Sequence, residues 1–165
     1  MMLGIPGAGK TSIAEHIAAI TRAVHINSDQ FRKRMFDNPE TISETEHGQI
    51  YAMLDYVTEQ ILASGKSVIY DANINQYIHR REKYAICQKT GARPQLIWVK
   101  TDINVARRRA TREAKLHPTH RPFGNMSQAT FDRLVKQVQQ PRPGEKAVEI
   151  SGDTIQKSAI KSAIS

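Results

Sequence analysis

An α/β fold built on a parallel sheet flanked by helices is predicted by two observations. Short β-branched runs alternate with longer amphipathic stretches, the pattern of parallel strands joined by crossover helices. A glycine-rich segment, Gly4-Ile5-Pro6-Gly7-Ala8-Gly9-Lys10-Thr11, opens directly into the first amphipathic stretch, whose apolar positions are Ile13, Ile17 and Ile20. The 165 residues suit one domain spanning the whole chain.

Along the chain, strands are expected over 24–27, 67–71, 95–100 and 147–150, and helices starting near Lys10, Asp29, Ser43, Gln76, Asn104 and Ser127, with a short helix at the C-terminus. The clearest helix runs from Ser43 to Ser64. Ile50, Met53, Leu54, Val57, Ile61 and Leu62 follow its period, and Gly65 supplies the stop. The first strand is expected to be truncated, because only Met1, Met2 and Leu3 precede Gly4 where a central strand is normally about 5 residues long. Either the start lies upstream or a stub is tolerated at a cost in stability. Lys115 to Gly124 breaks both periodicities and reads as a mobile loop, and Gln140-Pro141-Arg142-Pro143-Gly144 is a second break.

Composition narrows the partners. Twenty-four Lys and Arg against 16 Asp and Glu give a net charge of +8 and a pI near 9.8, which fits either an anionic partner, nucleic acid or nucleotide, or a dispersed solvated surface. No apolar run approaches the roughly 18 residues of a membrane span, so no membrane partner is expected. A lone cysteine, Cys87, and the lack of room for a leader before Gly4 point to the cytoplasm.

Gly4 and Gly9-Lys10-Thr11 fix the full Walker A pattern. Its glycines let backbone N–H groups turn inward around a phosphate that a Cβ would keep away. Lys10 is then placed to reach the β and γ oxygens and Thr11 to ligate magnesium, while Ser12 opens the helix whose positive end faces the anion. The expected ligands are therefore ATP and Mg²⁺, with Gly4, Ile5, Pro6, Gly7, Ala8, Gly9, Lys10, Thr11 and Ser12 as the binding segment.

On the acceptor side, Ile26-Asn27-Ser28-Asp29-Gln30-Phe31-Arg32 closes a strand and opens a helix at the sheet edge where open α/β folds place their sites. Asp29 there can take a proton from an acceptor hydroxyl, and Arg32, one turn later, can hold an anionic group. The competing reading makes Ser28 or Asp29 only an N-cap. Asp71, at the end of Ser67-Val68-Ile69-Tyr70-Asp71, is expected at the same edge as a magnesium or Arg32 partner, with Asn73 contacting the acceptor; alternatively both merely form a turn. In Ala106-Arg107-Arg108-Arg109-Ala110-Thr111-Arg112, Arg108 and Arg112 are helical neighbours at i,i+4 and Arg109 and Arg112 at i,i+3. They are expected to close on the triphosphate as a lid, against the alternative of a solvated basic face. His117 and His120 read as loop residues facing substrate rather than as metal ligands.

Taken in order, Gly-x-Pro-Gly-Ala-Gly-Lys-Thr, Ile-Asn-Ser-Asp-Gln-Phe-Arg, Ile-Tyr-Asp-Ala-Asn and the Arg-rich helix resemble the AAA-type P-loop kinases that include bacteriophage-type polynucleotide 5′-kinase and, more distantly, zeta toxins. The resemblance covers roughly residues 1 to 150. It implies a three-layer P-loop kinase fold with a lid, Lys10 and Thr11 on ATP and magnesium, Asp29 as general base and Arg32 on the acceptor-side phosphate. Asp71 and Asn73 match the strand-end segment, and one of Arg108, Arg109 and Arg112 matches the lid arginine. The expected activity is transfer of the ATP γ-phosphoryl to a hydroxyl, a polynucleotide 5′-hydroxyl first and a small metabolite or nucleotide sugar second. An ATP-binding switch without an acceptor is the alternative of another class; Asp29 and Arg32 discriminate against it, since a switch needs no base facing an acceptor.

Overall fold

Strand pairing sets the frame on which the site is hung. The computed structural model describes residues 1–39, 41–113, 123–154 and 157–164. In it, β1 (Met2–Leu3) pairs in parallel with β4 (Ile97–Lys100), and β4 with β5 (Val148–Ser151). Separately, β2 (Val24–Asn27) pairs in parallel with β3 (Val68–Asp71), placing Asn27 beside Asp71. β1 packs against β3, but no ladder joins them among the described residues, so the strands form a three-stranded and a two-stranded sheet. The expected short first strand is thus two residues long, and both side chains are fully buried.

Crossover helices cover both faces, because consecutive strand residues point to opposite sides and both sides are apolar. On one face, Met2, Ile69, Ile97, Val99 and Ile150 meet Ile13 and Ile17 of α1 (Lys10–Thr21) and Ile160 of α7 (Lys157–Ile164). On the other, Leu3, Ile26, Tyr70 and Leu96 meet Ile50 and Leu54 of α3 (Glu44–Ala63). A third cluster joins Ala106 and Ala110 of α5 (Ile103–Thr111) to Phe131 of α6 (Gln128–Lys136), with the loop residue Ile5 packed against it. α2 (Ser28–Met35) buries no side chain fully, and α4 (Tyr77–Thr90) buries Arg80 and Lys83.

The four strands expected after the first are present, each beginning one or two residues later than predicted except β2. α3 carries a capping box at Ser43 and stops where Gly65 adopts φ 80°. Among the described residues, no helix is long and apolar enough to cross a membrane. The expected loop from Lys115 to Pro122, with His117 and His120, lies outside the described residues.

Candidate active site

Every predicted phosphate-loop residue lies in the turn from β1 into α1. Gly7 has φ 79°, and a Cβ there would run into the Ala106 carbonyl of α5, so only glycine lets the loop pass so close. Lys10 folds back along its own loop, its Nζ donating to the carbonyls of Gly4 at 2.8 Å and Ile5 at 3.0 Å. At the loop's entry, the buried Gly4 N–H donates to Asn75 Oδ1 at 3.1 Å.

Thr11 and Asp71, predicted together, are brought together: the Thr11 hydroxyl hydrogen-bonds the Asp71 carboxylate. Asp71 is only 4% exposed. Two further donors come from β2, His25 Nε2 at 3.1 Å and Asn27 Nδ2 at 2.7 Å, both to Oδ2. Burial would push this carboxyl up, but the hydrogen bonds from His25, Asn27 and Thr11 outweigh it and hold the group below the usual carboxylate range. Asp71 is thus an anion set beside the phosphate loop. The alternative of a bare turn does not describe it.

Asp29 lies in the first turn of α2, and the cap belongs to another residue: Asn27 Oδ1 accepts the Gln30 N–H at 3.0 Å. This corrects the N-cap reading of Ser28 or Asp29. The strand ends at Asn27, so its side chain is the one aimed at the exposed helix N–H groups. Arg32 donates its Nε to the Pro39 carbonyl, and its guanidinium lies over the Phe123 ring, 4.3 Å from the centroid. Asn73 is exposed, and its Oδ1 accepts the Asn75 N–H at 3.4 Å.

Two residues that sequence reasoning passed over join this group. The Tyr51 phenol hydrogen-bonds the Ser28 side chain and the Asn73 backbone, within the field of Asp29 and Arg32, and burial pushes its pKa up to about 12. His47, one turn earlier on α3, stacks on Tyr51 with centroids 5.1 Å apart, and burial followed by the Arg32 charge lowers its pKa. The i,i+4 spacing was visible in the sequence, but nothing local says that this face of α3 meets α2.

The arginine cluster divides. Arg109 donates to the carbonyls of Gly152 at 2.7 Å and Asp153 at 3.2 Å, tying α5 to the turn after β5. That turn crowds the phosphate loop, since a Cβ at Gly152 would collide with the Ala8 carbonyl. Arg108, 58% exposed, pairs with Glu113 at 2.8 Å. Together with Arg107 and Arg112 it lines an outer groove of about 290 Å³. The expectation that Arg108 and Arg112 face the triphosphate is corrected in this structure. Ala106 and Ala110 pack on Ile5 and Phe131, and at 3.6 residues per turn positions 108 and 112 then fall on the opposite side. Asp102, expected to end a strand, instead caps α5 by accepting the N–H groups of Asn104 and Val105.

Among the described residues there is no group of three or more His, Cys, Asp or Glu able to hold a metal without help. Thr11 and Asp71 nevertheless fit magnesium, which takes hard oxygen donors and is normally held by one or two protein groups plus substrate phosphates.

A parallel sheet covered by helices, with a Walker A loop at its carboxyl edge and a strand-end acid beside the loop threonine, defines a P-loop kinase fold. The chain belongs to the AAA_33 family of AAA domains, whose profile matches residues 1–142. Solved structures share the fold. A protein from Chloroflexus aurantiacus assigned as a kinase is 19% identical at TM-score 0.76, covering 99% of this chain and 95% of its own. Kti12 of Chaetomium thermophilum, solved with ADP-AlF3, is 15% identical at TM-score 0.71, covering 98% and 96%. The APS kinase CysC of Mycobacterium tuberculosis, solved with AMPPNP and APS, is 15% identical at TM-score 0.68, covering 99% and 92%. Comparison with curated protein sequences gives no match.

Proposed function

We propose that this protein is an ATP-dependent kinase that transfers the γ-phosphoryl group to a hydroxyl. The observation that carries the reading is the meeting of Thr11 with Asp71 beside the loop of Lys10, with Asp29 and Arg32 on the adjoining helix. Loop N–H groups and Lys10 hold the β and γ phosphates. Asp29 accepts the proton of the acceptor hydroxyl as its oxygen bonds to the γ-phosphorus and the bond to the ADP oxygen breaks. Thr11 and Asp71 are the residues to hold magnesium, which neutralises charge across the phosphate oxygens when bound with ATP. Arg32 takes an anionic group of the acceptor, and Tyr51 fixes the walls of that pocket. Arg109 keeps the Gly152 turn against the loop where the nucleoside lies.

For the acceptor, the net charge of +8 favours a polynucleotide 5′-hydroxyl. A small-molecule alcohol is the second reading. It is favoured by neighbours of the same fold named as a gluconokinase and a shikimate kinase. The test offers γ-labelled ATP with magnesium to a 5′-hydroxyl oligonucleotide, to sugars and nucleosides, and to water. Label should reach one hydroxyl class. Lys10→Ala should cost about 10²- to 10³-fold, and Asp29→Asn about 10²- to 10⁴-fold. Label appearing only as free phosphate, unchanged by Asp29→Asn, would replace the kinase with an ATP-driven switch.

A further inference from the structure

Asp71 is held by an arrangement that its partnership with Thr11 does not require. In the β2–β3 ladder, Asn27 stands directly across from Asp71, and His25, two residues earlier, projects from the same face of β2. Both side chains converge on a single oxygen, Oδ2, His25 Nε2 at 3.1 Å and Asn27 Nδ2 at 2.7 Å. A carboxylate oxygen offers about two lone-pair positions. Those of Oδ2 are filled, so Oδ1 is the atom left for Thr11 and for anything bound there. Two donors from a paired strand also fix the rotation of the carboxyl, which one contact would leave loose.

Asn27 has a second contact. Its Oδ1 accepts the Gln30 N–H and so caps α2, the helix whose first turn carries Asp29. One side chain thereby joins the magnesium-side acid to the helix that presents the acceptor-side acid. His25 has no such second task recorded: among the described residues its only hydrogen bond is to Asp71. It is therefore the residue through which the clamp can be tested alone.

We propose that His25 and Asn27 are positioning residues that clamp Oδ2 of Asp71, so that Oδ1 is presented to the magnesium of a bound nucleotide, with Asn27 locking that acid to the start of α2. This rests on the assignment of Asp71 to magnesium made above. Burial of Asp71 supports it, since a carboxylate so enclosed stays ionised only where donors surround it.

The experiment measures binding of a fluorescent ATP analogue at fixed pH, first in EDTA and then across a magnesium titration, together with thermal melting. The magnesium concentration giving half of the added affinity should rise about 10- to 100-fold in His25→Ala, the usual effect of removing a partner of a metal-ligating group. Affinity in EDTA and the melting temperature should stay near the parent's, and His25→Gln, which keeps a donor, should recover part of the loss. Asp71→Asn is measured alongside. If Asp71→Asn leaves the magnesium midpoint in place, the assignment of Asp71 itself is wrong. If Asp71→Asn moves it and His25→Ala does not, the assignment stands and the clamp is refuted. A fall in EDTA affinity or melting temperature as large as the magnesium effect, in both His25 variants, would reduce the contact to a fold-holding one and overturn the proposal.

Discussion

Arg80 is fully buried, and its surroundings explain how a charge survives there. Its Nε and Nη2 grip the two Glu145 oxygens at 2.7 and 2.9 Å, and its remaining donors reach the carbonyls of Ile74, Asn75 and Gln140. The Tyr84 hydroxyl also donates to Glu145, at 2.8 Å. Glu145→Gln would leave the guanidinium buried without its counter-charge, so the urea midpoint should fall by an amount equivalent to about 3–5 kcal/mol. An unchanged midpoint would show the pair to be neutral. Burial pushes the Glu145 carboxyl up, but hydrogen bonds from Arg80, the Arg142 backbone and Tyr84 prevail and bring it from 4.5 down to about 2. With the folded value below the unfolded one, its contribution is complete above pH 4.5 and is lost as pH falls from there through about 2. A stability titration over that window should be steeper for the parent than for Glu145→Gln. None of this was legible locally. In Tyr77-Ile78-His79-Arg80-Arg81-Glu82 an arginine reads as a solvated face, and its partner is 65 positions away.

At the scale of elements, α3 is the one the sequence described most fully. Ser43 Oγ accepts the Glu46 N–H at 3.3 Å, while Glu46 Oε2 accepts the Ser43 N–H at 2.7 Å. Both members sit in a span short enough to read, and the apolar stripe behind them fixes the buried face. Ser43→Ala should lower stability by about 1 kcal/mol, seen as a drop in melting temperature, and should leave ATP affinity unchanged because the cap is remote from the loop. A loss of ATP affinity matching the loss of stability would place α3 in the nucleotide site instead. Two shorter elements were read less well. The α2 cap fell one residue earlier than the Ser-Asp pair suggested, because the end of β2 decides which side chain meets the helix N–H groups. In α5 the spacing identified which arginines are neighbours, but the packing of Ala106 and Ala110 decided which of them turn inward.

Across the whole molecule, a two-residue β1 joins both sheets without a ladder to β3. Asn75 supplies the missing link: its Oδ1 takes the Gly4 N–H, while its carbonyl accepts from Arg80 at 3.0 Å and from the Gln139 N–H at 2.9 Å. Asn75→Ala should orphan a buried N–H at a cost of about 1–3 kcal/mol. It should also weaken ATP binding, because the same N–H anchors the entry to the phosphate loop. Calorimetric binding and melting on one preparation check both, and loss of stability with intact affinity would show that the loop is held by β4 alone.

What the sequence determined by itself was everything carried by short-range pattern. The order of strands and helices follows from hydrophobic period, the phosphate loop from the spacing of Gly4, Gly9, Lys10 and Thr11, and the strand-end position of Asp71 from the apolar run before it. The tertiary structure decided which side chains separated by dozens of residues would share a volume. Thr11 with Asp71 and His25, Tyr51 with Ser28 and Asn73, and Gly4 with Asn75 depend on β2 and β3 pairing in register and on α3 crossing their face. Hydrophobic period specifies that a face is buried, but only the assembled sheet specifies against what. Hydrogen-bond partners need positions good to a fraction of an ångström, which no local pattern supplies.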